Sequence, residues 1–298
     1  MQSVQKPKVI AVVGPTASGK SSLGIYLAKK LGGEVISADS RQVYKGLDIG
    51  TGKVTKGEMA GVKHHLLDVA SPKGQFTVDR FVKKADKALY VILQKARIPL
   101  VVGGTGLYAD MLLGRMSYPN VPPNQRLRGA LEGKTEAELF AILQKLDPRR
   151  AAHIEPDHKR RLIRAIEIAK AIGQSPAVAP EPKYEVLWLG LSPAEETLKK
   201  NIRTRLKARL KAGMVAEAVR LHKAGLSYKR MYELGLEYRS LSQLLQKKVE
   251  PKEFEESLER AIWQYAKRQT RWFKRNKDIK WVGSKAEALR LAKAFLSR

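Results

Sequence analysis

The sequence predicts an α/β fold, with a parallel sheet, a mostly helical insertion and basic helices towards the C-terminal end. Apolar, strand-like runs alternate with amphipathic helical segments over the first hundred residues. Proline-rich stretches at 117–124 and 175–182 enclose a helical block, and helical segments rich in Lys and Arg follow from residue 194. Such alternation is typical of a parallel sheet with helices on both faces.

The first strand is predicted at Lys8–Val13 and the first helix at Lys20–Leu31, with a glycine-bearing turn between them. That turn has the pattern G-x-x-x-x-G-K-[ST] in strand–turn–helix context, which predicts a phosphate-binding loop, or P-loop. Its backbone N–H groups and the helix N-terminus attract an anion. We therefore expect a di- or triphosphate to be bound by Gly14, Pro15, Thr16, Ala17, Ser18, Gly19, Lys20 and Ser21. The Ser21 hydroxyl is the expected protein ligand of Mg²⁺.

Further elements follow in βαβ order. A strand is predicted at 34–38, a short segment at 64–68, a helix at 77–94 and another strand at 98–102. The helix is assigned from one apolar stripe at helical spacing, formed by Phe81, Ala85, Ala88, Leu89 and Ile92. Because the first hundred residues repeat strand and helix, we expect a P-loop NTPase-like parallel sheet core.

Polar residues follow two of the predicted strands. Asp39 comes directly after the strand at 34–38, and Gly103-Gly104-Thr105 follows the strand at 98–102. Carboxyl ends of parallel strands form the ligand site of an open sheet, so both should lie beside the P-loop. Asp39 can bind Mg²⁺ or accept a proton from a nucleophile. Nucleotide hydrolases usually have an aspartate after such a strand. No aspartate directly follows the strand at 98–102, which argues against an ordinary ATP hydrolase.

The rest of the chain divides at the two proline-rich stretches. We expect residues 1–114 and 184–298 to form the catalytic core and residues 115–183 a helical insertion. After a strand at 184–191, helices are predicted at 194–224, 240–246, 251–276 and 285–297.

The net charge is +28, from 57 basic and 29 acidic residues, and the excess is greatest in residues 184–298. Such a charge favours a polyanionic partner, and nucleic acid fits better than an anionic membrane because no lipidation signal appears. There is no cysteine, no signal-peptide core and no apolar run of membrane-spanning length, so we expect a cytoplasmic protein without a membrane partner.

The helix at 251–276 has two different faces. Ile262, Tyr265 and Trp272 share an apolar face, and a basic face lies opposite, formed by Lys267, Arg268, Arg271, Lys274 and Arg275. We interpret the basic face, with Arg268, Arg271 and Arg275 at its centre, as a site for RNA backbone phosphates. The alternative is a solvated charged face that binds nothing.

Several segments together resemble one family. GPTASGKS, ADSRQVYKGLDIGTGK at 38–53, HHLLD at 64–68, IPLVVGGTGLY at 98–108 and AKRQTRWFKR at 266–275 occur in the same order as in the tRNA dimethylallyltransferases, also called tRNA isopentenyltransferases. The resemblance covers nearly the whole chain.

The resemblance implies a function and roles for individual residues. The family moves a dimethylallyl group from dimethylallyl diphosphate to N6 of adenosine 37 beside the tRNA anticodon, with the P-loop holding the prenyl diphosphate. Asp39 matches the general base, Thr105 a phosphate and active-site contact, and Arg205 an arginine that reaches the diphosphate. The implied tRNA-binding residues are Asp39, Ser40, Arg41, Gln42, Thr105, Arg128, Arg160, Arg161, Leu162, Ile163 and Arg164.

Two positions depart from the family pattern. Where many members have G-Y-[RK], this chain reads Leu236-Glu237-Tyr238-Arg239, which places an acid in a stretch expected to approach RNA. Arg239 stays a candidate tRNA contact. In the R-x-x-x-M pattern that begins at Arg205, the methionine is replaced by Arg209.

Two other functions compete with this one. A small-molecule or nucleoside kinase using ATP shares the P-loop and the aspartate after the second strand, but the charge of +28 and the basic helices disfavour it. A P-loop RNA-binding ATPase without prenyl chemistry is the third candidate. For the favoured function we expect a monomer that uses Mg²⁺, with tRNA and dimethylallyl diphosphate as substrates.

Overall fold

The computed structural model describes residues 6–117, 119, 121–174 and 182–298. Its strands in chain order are β1 Lys8–Val13, β2 Glu34–Ser37, β3 His64–His65, β4 Pro99–Gly103, β5 Glu185–Gly190 and β6 Lys280–Trp281. They form one six-stranded sheet in the order β3-β2-β4-β1-β5-β6, and all pairings are parallel. The predicted α/β fold with a parallel sheet is confirmed.

The chain divides into two compact units, one of Met1–Arg115 with Pro182–Arg298 and the other of Met116–Glu181. The helices of the first unit are α1 Lys20–Leu31, α2 Lys56–Met59, α3 Val78–Gln94, α4 Gly106–Leu112, α9 Glu195–Lys211, α10 Met214–Lys223, α11 Tyr228–Leu234, α12 Leu236–Leu245, α13 Pro251–Lys274 and α14 Lys285–Leu296. Those of the second are α5 Gln125–Glu132, α6 Glu136–Leu146, α7 Pro148–Ala151 and α8 Lys159–Ile172.

The core of the first unit lies on both faces of the sheet. Side chains of β1 alternate between two apolar clusters, because neighbouring residues of a strand point to opposite faces. The stripe predicted for α3 is buried as expected, and Thr77 caps this helix by accepting a hydrogen bond from the Arg80 N–H. β1 at the centre of the sheet therefore delivers the P-loop from a rigid position.

The basic C-terminal region differs from the prediction in three places. The single helix expected at 194–224 is two helices, α9 and α10, because Gly213 has a left-handed backbone with φ of 96°. The helix expected at 240–246 begins earlier, at Leu236, after a further helix, α11, that periodicity did not reveal. The short edge strand β6 was also not predicted.

The second unit has its own small core, built from α5, α6, α7 and α8. Its centre includes the buried carboxylate of Glu167, which accepts hydrogen bonds from Asn124 N, Arg128 and Arg164. A buried carboxylate needs such partners, because an unpaired buried charge is costly. The predicted proline-rich stretch at 175–182 lies, except for Pro182, outside the described residues.

No helix in the described part of the chain is both long enough and apolar enough to cross a membrane.

Candidate functional site

The P-loop turns tightly between β1 and α1. Gly19 has a left-handed backbone with φ of 89° and precedes the first residue of α1. Lys20 folds back over the loop and donates from Nζ to the Pro15 carbonyl at 3.0 Å. The buried Ser18 hydroxyl has no hydrogen-bond partner among the described residues. An unpaired buried hydroxyl is unfavourable, and Ser18 is therefore able to donate to a ligand bound at this loop.

Gln269 of α13 ties the P-loop to the turn after β4. Its Oε1 accepts from Thr16 N at 2.8 Å, and its Nε2 donates to the Gly104 carbonyl at 2.8 Å. A Cβ at position 104 would lie 2.4 Å from Gln269 Nε2 and 3.3 Å from the Lys20 side chain, so a larger residue there would displace one or both side chains. Glycine at 104 therefore allows Gln269 and Lys20 to pack closely against the turn after β4.

Asp39 follows β2, and backbone N–H groups of the residues after it hold its side chain. Oδ1 accepts from Arg41 N at 2.8 Å and from Gln42 N at 3.3 Å. The other oxygen, Oδ2, accepts no hydrogen bond from the described residues. The carboxylate thus has a fixed orientation and one oxygen available to accept a proton.

Thr105 connects the ends of β2 and β4. Its Oγ1 accepts from Ser40 N at 3.0 Å, and its backbone N–H donates to the Ala38 carbonyl at 3.2 Å. Tyr265 of α13 lies close to Thr105 and acts with it on this side of the site. Burial and the nearby Asp39 carboxylate raise the pKa of Tyr265 to about 12, so its hydroxyl stays protonated at neutral pH.

Lys20 is affected by burial and by two nearby charges of opposite sign. Burial is the main cause that lowers its pKa to about 8, and repulsion by Arg205 adds to it, while Asp39 acts in the opposite direction. Two cations and one carboxylate therefore surround the P-loop. A bound diphosphate would offset this excess of positive charge and stabilise the protonated lysine.

The loop at 46–53 lies across the site and is fixed by Glu217 of α10. The two Glu217 oxygens accept from the backbone N–H groups of Asp48, Ile49 and Gly50 at 2.8–3.0 Å. The Tyr238 hydroxyl donates to the same carboxylate at 2.7 Å. Three parallel N–H groups form a nest for an anion, which here is the protein's own carboxylate.

Arg205 of α9 approaches the other end of this loop. Its Nη2 donates to the Gly52 carbonyl at 2.7 Å, and Gly52 has φ of 57° and no room for a Cβ against the guanidinium. A cavity with a volume of about 410 Å³ opens beside α1. Its lining includes Ser21, Gly52, Glu58, Arg205 and Lys285. Arg205 and Ser21, predicted from distant parts of the sequence, thus line the same cavity.

The predicted basic face of α13 points to solvent. Lys267, Arg268, Arg271, Lys274 and Arg275 are all exposed, whereas Ile262 and Phe273 are buried. On another side of the helix, the Trp272 indole N–H donates to Asp110 Oδ2 at 2.7 Å. α13 therefore holds the site with one side and offers cations with the other; contact with RNA stays a prediction.

The predicted tRNA-binding residues of the second unit have different environments. Arg160 and Arg161 are exposed, while Arg128 and Arg164 are half-buried and paired with Glu167. Leu162 and Ile163 are buried in the core of this unit, at 0% and 4% exposure. These two side chains fill the core and are not accessible to RNA, and contact of the stretch at 160–164 with tRNA stays a prediction. In the first unit, Ser40, Arg41 and Gln42 are half-buried, and Arg239 is exposed over the Tyr232 ring.

Sequence reasoning missed three residues of the site: Tyr265, Gln269 and Glu217. Gln269 carries a detectable signal, since it is a polar residue at helical spacing between the buried Ala266 and Phe273. Glu217 and Tyr265 carry no comparable signal, because their roles depend on partners more than 150 residues away along the chain.

The family model described as IPP transferase matches residues 42–276. The chain belongs to the IPP transferase family. A protein named tRNA dimethylallyltransferase 2, from Treponema denticola, is 42% identical over 93% of this chain and 96% of its own length. tRNA dimethylallyltransferase 1 of Geotalea uraniireducens is 37% identical, with 97% and 96% covered.

Solved structures agree with this assignment. The full-length tRNA isopentenylpyrophosphate transferase from Bacillus halodurans superimposes with a TM-score of 0.73 at 34% identity, over 98% of this chain and 96% of that one. A eukaryotic dimethylallyltransferase acting on tRNA gives 0.83 at 25% identity, over 98% and 80%. The predicted resemblance, and with it the predicted class of enzyme, is confirmed for this IPP transferase family member.

Proposed function

We propose that this chain transfers the dimethylallyl group of dimethylallyl diphosphate to N6 of adenosine 37 in the tRNA anticodon loop and releases diphosphate. The observation that carries the proposal is the position of Asp39. It lies at the carboxyl end of β2, within electrostatic reach of Lys20 and Arg205, with one carboxylate oxygen free to accept a proton.

The leaving group determines what the P-loop does. When the bond from the allylic carbon to the diphosphate oxygen breaks, negative charge grows on the diphosphate. Preplaced donors that meet this charge lower the barrier. The P-loop N–H groups, Lys20, Arg205 and the Ser18 hydroxyl are suited to this role, since they converge on one region and have few other partners.

The nucleophile determines what Asp39 and Thr105 do. An adenine amine is weakly nucleophilic, so it must be oriented and must lose a proton as the new N–C bond forms. Asp39 Oδ2 accepts this proton. Thr105 and the neutral Tyr265 hydroxyl form a polar wall beside it that can orient the base.

Mg²⁺ is proposed as the metal. No group of three or more His, Asp or Glu side chains within the described ranges could hold a metal ion. A P-loop serine and the oxygens of a bound diphosphate suffice, however, because Mg²⁺ usually keeps several waters and takes substrate phosphates as ligands. The exposed Ser21 at the cavity fits this donor set. When bound, the ion supplies further neutralisation of the leaving diphosphate.

tRNA is proposed as the acceptor. A base stacked in an anticodon loop must be flipped out before its exocyclic amine can react. The charge of +28 supplies long-range attraction for the RNA backbone. The exposed Arg160, Arg161 and Arg239, with the basic face of α13, are the candidate contacts. Monomeric state and cytoplasmic location are part of the same proposal.

A transfer assay separates this function from the kinase alternative. Unmodified tRNA is incubated with dimethylallyl diphosphate labelled in its prenyl carbons, and in parallel with ATP labelled in its γ-phosphate. We expect prenyl label in tRNA, release of one diphosphate per transfer and no transfer from ATP. Phosphate transfer from ATP without any prenyl transfer would overturn the proposal.

A further inference from the structure

The two arginines on one side of α9 hold the same loop. Arg205 and Arg209 are one helical turn apart, and both guanidinium groups point towards the loop at 46–53. Arg205 Nη2 donates to the Gly52 carbonyl at 2.7 Å, and Arg209 Nη1 donates to the Gly50 carbonyl at 2.8 Å. Like charges at this spacing repel, and partial burial increases the cost.

Glu237, in the first turn of α12, offsets the second charge. Its Oε1 lies 3.1 Å from Arg209 Nη1, and the two side chains are only 11% and 12% exposed. Arg205, in contrast, forms no ion pair with the described residues. α9 thus presents two half-buried guanidinium groups, of which one is neutralised by the protein and one forms no ion pair with the described residues.

Both members of the pair act electrostatically on Arg205. Burial is the main cause that lowers the pKa of Arg205; the Arg209 charge lowers it further, and the Glu237 carboxylate raises it. Arg209 and Glu237 are therefore close enough to Arg205 to affect its pKa, and they do so in opposite directions.

We propose that Arg209 and Glu237 form a charge-neutral positioning pair that sets how tightly Arg205 and the P-loop hold the diphosphate of the prenyl donor. The inference rests on the proposed function, because it assumes that a diphosphate occupies the site beside Arg205. Arg209 positions the loop through Gly50, and Glu237 cancels the Arg209 charge so that the site is not over-charged and releases its product.

Electrostatics predicts opposite effects for the two single variants. Arg209→Met leaves the Glu237 carboxylate uncompensated, and a negative charge near the diphosphate weakens its binding. Glu237→Gln leaves Arg209 uncompensated, and the added positive charge tightens binding. If the ion pair were only structural, removal of either partner would weaken diphosphate binding.

The test measures affinity for inorganic diphosphate by titration calorimetry, in wild type, Arg209→Met, Glu237→Gln and the double variant. We expect Arg209→Met to bind about tenfold more weakly and Glu237→Gln to bind at least as tightly as wild type, as for coupled neighbours. The double variant, which restores neutrality, is expected within about threefold of wild type. Thermal unfolding is recorded for each protein.

A second ion pair on the same helix provides the matched control. Arg203 and Glu259 lie 3.0 Å apart, and Arg203 is 65% exposed. Arg203→Met and Glu259→Gln make the same charge changes away from Arg205 and should leave diphosphate affinity unchanged. If Arg209→Met does not fold, Arg209→Gln replaces it, because the amide still donates to Gly50 O while the charge is removed.

Two outcomes would overturn the inference: weaker binding in both single variants, or a double variant no better than Arg209→Met. If wild type binds neither diphosphate nor dimethylallyl diphosphate, the proposed function itself fails. A wild type that transfers prenyl groups normally, combined with single variants that both weaken binding, refutes only the role of the pair.

Discussion

Asp39 is oriented by the two residues that follow it. Hydrogen bonds from Arg41 N and Gln42 N fix Oδ1, so the direction of the free oxygen depends on backbone geometry at the end of β2. This arrangement allows a test that changes chemistry with little change in shape, since asparagine can accept the same two hydrogen bonds.

Asp39→Asn removes the proton acceptor and keeps the size of the side chain. We expect kcat to fall by about 10²–10⁴, the range for loss of a general base, with tRNA affinity nearly unchanged. Single-turnover prenyl transfer at saturating tRNA measures the rate, and filter binding measures the affinity. A kcat within a few fold of wild type would show that Asp39 is not the base.

Lys20 predicts a pH dependence of donor binding. Its pKa is lowered to about 8 in the free site, so the charged form that meets a diphosphate is lost as the pH rises through this value. Above the pKa, binding must be accompanied by uptake of a proton. We expect affinity for dimethylallyl diphosphate, measured without tRNA, to fall by up to about tenfold per pH unit from pH ~8 upwards.

The control for this titration is Lys20→Met. This variant should bind more weakly at all pH values and lose most of the dependence, because it has no proton to take up. If affinity falls with pH equally steeply in wild type and in Lys20→Met, the titrating group is the ligand or another residue.

At the scale of the element, α13 carries two separate tasks. Gln269 holds the P-loop and the turn after β4, and Tyr265 lies near Thr105. The basic face defined by Lys267, Arg268, Arg271, Lys274 and Arg275 lies in solvent. Because the two sets point in different directions, charges can be removed from one without loss of contacts made by the other.

Replacing Arg268, Arg271 and Arg275 by Gln should weaken tRNA binding and flatten its salt dependence. Each phosphate contact contributes about −0.7 to −0.9 to the slope of log K against log salt. The rate at saturating tRNA should stay close to wild type, since backbone contacts position the RNA and do not touch the reacting atoms. Filter binding across a salt series gives the slope.

The matched control removes three exposed charges from α3, at Lys83, Lys84 and Lys87. It makes the same change in net charge, so a general effect of charge would appear equally in both proteins. An unchanged slope in the α13 variant would show that the basic face is only solvated.

At the scale of the molecule, local patterns predicted most of the fold. The P-loop, β1, α1 and the buried stripe of α3 follow from spacing within ten to twenty residues, which is where backbone preference and side-chain periodicity act. The break at Gly213 and the short strand β6 were missed, because a single glycine and a two-residue strand leave little periodicity to detect.

The site was predictable only in part. Asp39, Thr105 and the P-loop could be found because each directly follows a strand, and parallel strands bring their ends together. The partners that fix them come from helices far along the chain, as Gln269 and Glu217 do. Local spacing places Gln269 among the buried positions of α13, but it does not specify which residues it contacts. Leu162 and Ile163 were named because the family resemblance implies a tRNA-contacting stretch at 160–164, and such a resemblance does not distinguish the buried side of α8 from its exposed side.

Mass spectrometry of nucleosides from a reacted tRNA tests the central claim most directly. Two transcripts are compared after reaction with dimethylallyl diphosphate, one with adenosine at position 37 and one with guanosine there. We predict that the first gains one dimethylallyl group on the N6 of adenosine 37 and that the second gains none. Prenylation of both transcripts, or of neither, would contradict the account.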